Sequence, residues 1–157
     1  MSAPVTAKGP DDARAPARPP NRVVVRWTGG EAFDSGRPDG PTLHIDGTGA
    51  SAQSPVDLLL SALASCAAID VVEILAKRRT PVERLDIDVT GTRVETIPRR
   101  LRHVVLEFRI DGAGIERIHA ERAIGLSIEK YCSVRDSLAR DIAIEWKLVL
   151  NGEGEGR

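Results

Sequence analysis

Aromatic side chains are scarce in this chain: two Phe, two Trp and one Tyr among 157 residues. The core must therefore be assembled mainly from Leu, Ile, Val and Ala. Cysteine is scarcer than in a disulfide-framed secreted domain, with only Cys66 and Cys132. In a reducing compartment such a pair is expected to be free or redox-active rather than a structural bridge. Neither sign of charge is in excess, 22 Lys and Arg standing against 23 Asp and Glu, which argues against a dedicated nucleic-acid surface. No uncharged apolar run approaches the roughly 20 residues of a membrane span. Met1 is followed by Ala, Pro, Gly and Asp rather than by a basic and then apolar leader, so the expected location is cytoplasmic.

Several kinds of site are missing as well. His44, His103 and His119 stand apart from one another and from the thiols, whereas zinc sites show closely spaced ligand pairs. No Gly-x-Ser-x-Gly elbow supports a serine hydrolase. The glycine-bearing stretch Gly47–Gln53 carries no phosphate-loop pattern. Neither a metal nor a cofactor is expected. Asp86 and Asp88 fall on the polar side of an alternating strand and read as solvated.

What the chain does have is one dominant apolar stretch, SPVDLLLSALASCAAIDVVEILAKRR, from Ser54 to Arg79. Ser54 suits an N-cap, Pro55 the first helical position, and Asp57 stands three residues after the cap. Lys77, Arg78 and Arg79 suit the carbonyl end of the helix dipole, and Thr80-Pro81 stops the run. Leu58, Leu59, Leu60, Leu63, Ile69, Val71, Val72, Ile74 and Leu75 point in most directions around such a helix. A helix apolar nearly all round is expected to be buried on most sides.

The remaining segments arrange themselves around this helix. Residues 1–21 lack large apolar groups and are expected to be a disordered tail. Residues 22–150 are expected to form one domain and 151–157 a frayed polar end. Strands are predicted from Arg22 to Thr28, from Ala32, and from Thr42 to Asp46, with a Gly- and Pro-rich loop SGRPDGP carrying Arg37. After Pro81, Leu85, Ile87 and Val89 alternate with polar residues, as do Val104, Leu106, Phe108 and Ile110, predicting a hairpin with one buried face. An amphipathic helix is predicted over about Ile115–Tyr131, with Ala120, Ala123, Ile124, Ile128 and Tyr131 inward. Ser133 is placed to cap a short further helix, with Asp136 three residues on. A last strand carries Ile142, Ile144, Trp146, Leu148 and Leu150 on one face. The fold class is α+β with mostly antiparallel sheet.

The thiols are the remaining chemistry. Free cysteine is commonly a small buried hydrophobe, and Ala62, Leu63, Ala67 and Ile69 around Cys66 fit that bland reading. Cys132 sits at a helix break, where a helix N-terminus favours thiolate. Asp70, four residues beyond Cys66 on nearly the same face, would disfavour a thiolate there. A reactive Cys66 therefore requires a cation from elsewhere, for which Arg37 is the candidate.

These two segments resemble the OsmC/Ohr family, osmotically inducible protein C and the organic hydroperoxide resistance proteins. The likeness rests on SPVDLLLSALASC at 54–66, with Pro55 eleven residues before the cysteine, and on EKYCSVRDSL at 129–138. Order and spacing agree from about Arg22 to Leu150. The resemblance implies an intertwined homodimer whose central helices are enclosed by both subunits. It implies thiol-dependent reduction of organic hydroperoxides, with Cys66 as the peroxidatic and Cys132 as the resolving cysteine. Arg37 would be the family's arginine, and an external dithiol, such as a lipoylated protein, would reset the site. This sequence departs from the family at the glutamate that follows the helix proline, which here is Val56. The alternative reading is a non-enzymatic dimeric protein of the same fold that senses redox state or binds a small ligand.

Overall fold

The computed structural model describes residues 17–153. The described chain forms two compact units that meet in sequence between Ile45 and Asp46. Most of the expected tail, residues 1–16, and the last four residues lie outside the described range.

The first unit holds β1 (Val24–Gly29), β2 (Ala32–Gly36) and β3 (Thr42–Asp46), in that order in one sheet. β1 and β2 pair antiparallel, Trp27 opposite Phe33, around a Gly29-Gly30 turn in which both glycines have positive φ. Such a turn suits glycine, which has no Cβ to oppose it. Trp27 Nε1 donates to the Gly30 carbonyl at 2.9 Å, and His44 pairs with Asp34 at 2.9 Å. Arg37 is exposed in the turn between β2 and β3, where its carbonyl accepts from Gly40 N.

The second unit opens on a tight loop. The Asp46 carboxylate accepts four hydrogen bonds, from the amides and hydroxyls of Thr48 and Ser51, at 2.6–2.9 Å. These bonds hold the acid well below the usual carboxylate range, and they direct the loop's donors inward.

Helix α1 (Pro55–Lys77) begins as expected. Ser54 is the N-cap, and it forms a reciprocal capping box with Asp57. The helix runs for about 34 Å at 1.5 Å per residue. It ends with Arg78 as C-cap and Arg79 at a φ of 64°, two residues earlier than the basic cluster suggested. Within one chain only a single stripe of α1 is buried: Leu63, Ala67, Val71 and Leu75, each fully enclosed and four residues apart, the spacing that stacks side chains on one helix face. Leu59, Ile69 and Val72 remain exposed. The expectation of burial on most sides is thus not met by one chain. By length and composition α1 would also suffice to cross a membrane. Its buried stripe, however, packs into a globular core.

β4 (Arg84–Arg93) and β5 (Leu101–Asp111) form the predicted antiparallel hairpin, Ile87 opposite Phe108. Val104, Leu106, Phe108 and Ile110 are fully buried. β6 (Ala143–Leu150) lies against the other side of β5 but runs parallel to it, Leu106 opposite Trp146. The sheets are mostly antiparallel as expected, and β5–β6 is the parallel exception. A crossover made of helices returns the chain to the end where β5 began, and that geometry produces parallel neighbours. The terminal segment is also better ordered than expected through Glu153. Asn151 donates its amide to Ile110 O at 2.9 Å, and its side chain accepts from Gly112 N at 3.0 Å.

The crossover holds the main departure. Helix α2 (Arg117–Leu126) buries Ala120, Ala123 and Ile124 as predicted, but its last turn, Ser127–Tyr131, is π-helical. The wider turn changes the phase of the pattern. Tyr131, expected inward, is 49% exposed, and Ser127 is completely buried. Helix α3 (Ser133–Ser137) follows, capped by Cys132 rather than by Ser133.

Candidate thiol site

Cys66 and Cys132 come from elements far apart in sequence and meet in the second unit. α1 carries Cys66 at its middle, half-buried against the core. The π-turn delivers Cys132 above α1, where its sulfur lies 4.0 Å from the Leu63 carbonyl, one turn before Cys66. The Cys66 thiol stands close enough to Cys132 to act on its proton equilibrium, and both thiols are free.

Their surroundings differ. Cys132 is 3% exposed. As N-cap of α3 it accepts from Arg135 N at 3.4 Å, a bond that favours thiolate. Burial outweighs it. Desolvation, reinforced by the Cys66 sulfur alongside, pushes the Cys132 thiol up to about 11. The expectation that the helix N-terminus would favour a Cys132 thiolate is therefore corrected: the short helix supplies two amide contacts, and the cost of burying charge exceeds them.

Asp70 is engaged rather than facing Cys66 as a bare charge. The Ser127 hydroxyl donates to Asp70 Oδ2 at 2.9 Å and lies 3.2 Å from the Ala67 carbonyl. Asp57 is likewise committed. It accepts from the Ser54 amide and hydroxyl at 2.9 and 2.7 Å, and those bonds lower its pKa. Val56 is half-buried against the core and places no carboxylate there. A cleft of about 580 Å³ opens beside Cys132, lined by Lys130, Tyr131, Arg135 and Arg140 among others.

Of the residues singled out in the sequence, the fold thus brings Cys66 and Cys132 together. Arg37 belongs to the other unit. The histidines have local partners: Asp34 for His44, Glu145 at 3.2 Å for His103, and Arg78 at 2.6 Å for His119. Among the described residues no three His, Cys, Asp or Glu side chains gather as a metal site would require. Ser127 escaped sequence reasoning entirely. A single serine between Leu126 and Ile128 gives no sign of the partner it will bond to.

Six strands among the described residues, a long helix and two thiols near its middle define a recognisable class. The family model described as OsmC-like protein matches residues 47–147. The chain belongs to the OsmC-like family. It is 37% identical over 121 residues to the protein YhfA of Escherichia coli K12, covering 76% of this chain and 90% of that one. A hypothetical protein from Aquifex aeolicus VF5 superposes with a TM-score of 0.73 at 26% identity, over 85% of this chain and 99% of that one. An organic hydroperoxide resistance protein from Legionella pneumophila shares the fold, with a TM-score of 0.63 at 16% identity over 83% and 98% of the two chains.

Proposed function

We propose that this protein is a thiol-dependent peroxidase that reduces organic hydroperoxides to alcohols. The observation that carries the reading is the proximity of a half-buried thiol, Cys66, and a buried one, Cys132, held on separate elements over the same stretch of α1. The Cys66 thiolate attacks the distal peroxide oxygen. The O–O bond breaks, the alkoxide takes a proton and leaves as alcohol, and Cys66 becomes a sulfenic acid. Cys132 then attacks that sulfur, water departs, and an intramolecular disulfide remains. An external dithiol, such as a lipoyl group on a partner protein, accepts the oxidation and restores both thiols. Arg37 supplies the cation that stabilises the Cys66 thiolate.

The working form in this reading is a cytoplasmic homodimer. Leu59, Ile69 and Val72 on the open side of α1 give a second copy an apolar surface to cover, and burial of such a surface favours association.

The test is mass spectrometry of reduced protein after one equivalent of cumene hydroperoxide, paired with peroxide consumption in the presence of a dithiol. A loss of two hydrogens, and loss of turnover in Cys66→Ser and Arg37→Ala, are expected. Persistent free thiols would refute the reading.

A second reading has one specific observation in its favour. Val56 leaves the family's glutamate position apolar, and Asp57 is occupied as a helix cap. A dimeric redox sensor would retain the thiol pair without that carboxylate. One stoichiometric oxidation with no dithiol-driven turnover would select it.

A further inference from the structure

Ser127 stands where three structural requirements coincide. It is the first residue of the π-turn and is fully buried. Its hydroxyl reaches α1 at Asp70 Oδ2, 2.9 Å away, and at the Ala67 carbonyl, 3.2 Å away. Its own carbonyl accepts the Cys132 amide at 2.9 Å, the i to i+5 bond that makes the turn π-helical. One residue thus ties the backbone of Cys132 to the α1 surface next to Cys66. Ala67 directly follows Cys66, and Asp70 lies four residues on, about 40° around the helix. On the N-terminal side the Cys132 sulfur faces the Leu63 carbonyl at 4.0 Å. Cys66 lies in sequence between these anchor points.

A hydroxyl buried this deeply requires a partner, and a carboxylate acceptor makes the stronger bond. The Asp70 carboxylate is half-exposed, so its water side remains solvated while its inner oxygen holds Ser127. The π-turn matters because it inserts one extra residue per turn, changing where the chain leaves the helix. An α-helical continuation would present position 132 in a different direction.

We propose that Ser127 and Asp70 are positioning residues, a side-chain latch that holds the π-turn on α1 and so keeps the Cys132 thiol against Cys66. The proposal rests on the reading of the two thiols as a redox pair, but not on peroxide being the oxidant. The latch touches neither sulfur. It raises the effective concentration of one thiol at the other and thereby favours the disulfide. In the reaction with oxidised dithiothreitol, both thiols lose their protons and one S–S bond forms between them. The reagent's S–S bond breaks, and it leaves as the reduced dithiol.

The experiment equilibrates full-length parent, Ser127→Ala, Asp70→Ala and the double variant with oxidised and reduced dithiothreitol and measures the intramolecular disulfide by mass spectrometry. Circular dichroism is recorded on each protein. Each single variant is expected to lose about tenfold in the disulfide equilibrium, equivalent to a reduction potential about 30 mV higher. The double variant is expected to lose no more than Ser127→Ala, because that change already removes the bond to Asp70. Asp70→Asn, which keeps an oxygen acceptor, is expected to restore most of the loss, an outcome that general loosening of the fold does not produce.

Single variants within about twofold of the parent, or a fully additive double variant, would overturn the latch while leaving the redox pair intact. A parent that forms no intramolecular disulfide would overturn both. If the equilibrium shifts as expected but cumene hydroperoxide is not turned over, the latch stands and the peroxidase reading fails.

Discussion

Cys66 and Cys132 are the same side chain in opposite settings. Cys66 lies in the middle of a regular 23-residue helix, half-buried, with its backbone groups held within the helix. Cys132 lies where a π-turn meets a five-residue helix, 3% exposed, with its sulfur accepting an amide. Local dipole arguments favour thiolate at Cys132 and offer nothing to Cys66. Burial overrides the dipole at Cys132, holding it protonated at neutral pH. Desolvation of a thiolate exceeds two weak amide contacts. Burial also leaves Cys66 the more accessible of the two sulfurs.

The contrast is broken or sharpened most strongly by pH-dependent alkylation. With its thiol at about 11, Cys132 is expected to react with iodoacetamide roughly tenfold faster for each pH unit from about 8 to about 10, levelling off above that, because the thiolate is the reactive form. Peptide mapping should find Cys66 modified first at pH 8. Equal labelling of both at that pH would erase the distinction. The same shift has a stability consequence. The folded state holds the Cys132 proton above the ordinary thiol value of about 8.5, so this contribution is complete below that pH. It is lost as pH rises toward 11.

Packing beneath the pair comes next. Leu63 is fully buried, and its carbonyl faces the Cys132 sulfur. Leu63→Ala is expected to cost about 2–5 kcal/mol by leaving a cavity, and to reduce the labelling contrast as Cys132 becomes hydrated. Urea unfolding and the same alkylation assay measure both. Leu59→Ala, on the exposed side of α1, should leave the contrast unchanged.

Ser54→Ala removes the capping box and is expected to cost about 1 kcal/mol. The cap is more than three turns from Cys66, so the alkylation ratio should not move. If it does, the thiol environment depends on the start of the helix as well as on its middle.

The smallest effect is local and acidic. The Asp46 carboxylate is depressed by its four hydrogen bonds, so its contribution is present above the ordinary carboxylate value of about 3.9. It is lost as pH falls through the lower folded value. Amide exchange at Thr48 and Ser51, corrected for intrinsic rates, should become less protected in acid while the β5 core remains protected. Unchanged protection would show that backbone geometry alone orders this loop.

Much of the frame was legible because it depends on local periodicity. Ser54, Pro55 and Asp57 announced the start of α1, and alternation at Val104–Ile110 marked β5. The thiol segments were legible too, in the stretches around Cys66 and Cys132. The parallel pairing of β6 was not, because alternation reports which face is buried and is silent about strand direction. The π-turn was equally hidden. Its residues satisfy an α-helical pattern through Tyr131, and the extra residue per turn is a matter of fit against α1. Ser127 and Asp70 reveal themselves only in three dimensions, since neither is apolar, repeated or part of a motif.

Taken by itself, then, the order of residues determined which segments become helix and strand, where the long helix starts, and which two sulfurs are available. Each follows from interactions between neighbours a few positions apart. Only the tertiary structure decided that the sulfurs come near one another, that burial pushes the Cys132 thiol up, and that a buried serine bonds to Asp70. Burial and contact between positions 57 or more residues apart arise from packing, and the desolvation that sets Cys132 is a property of everything around it.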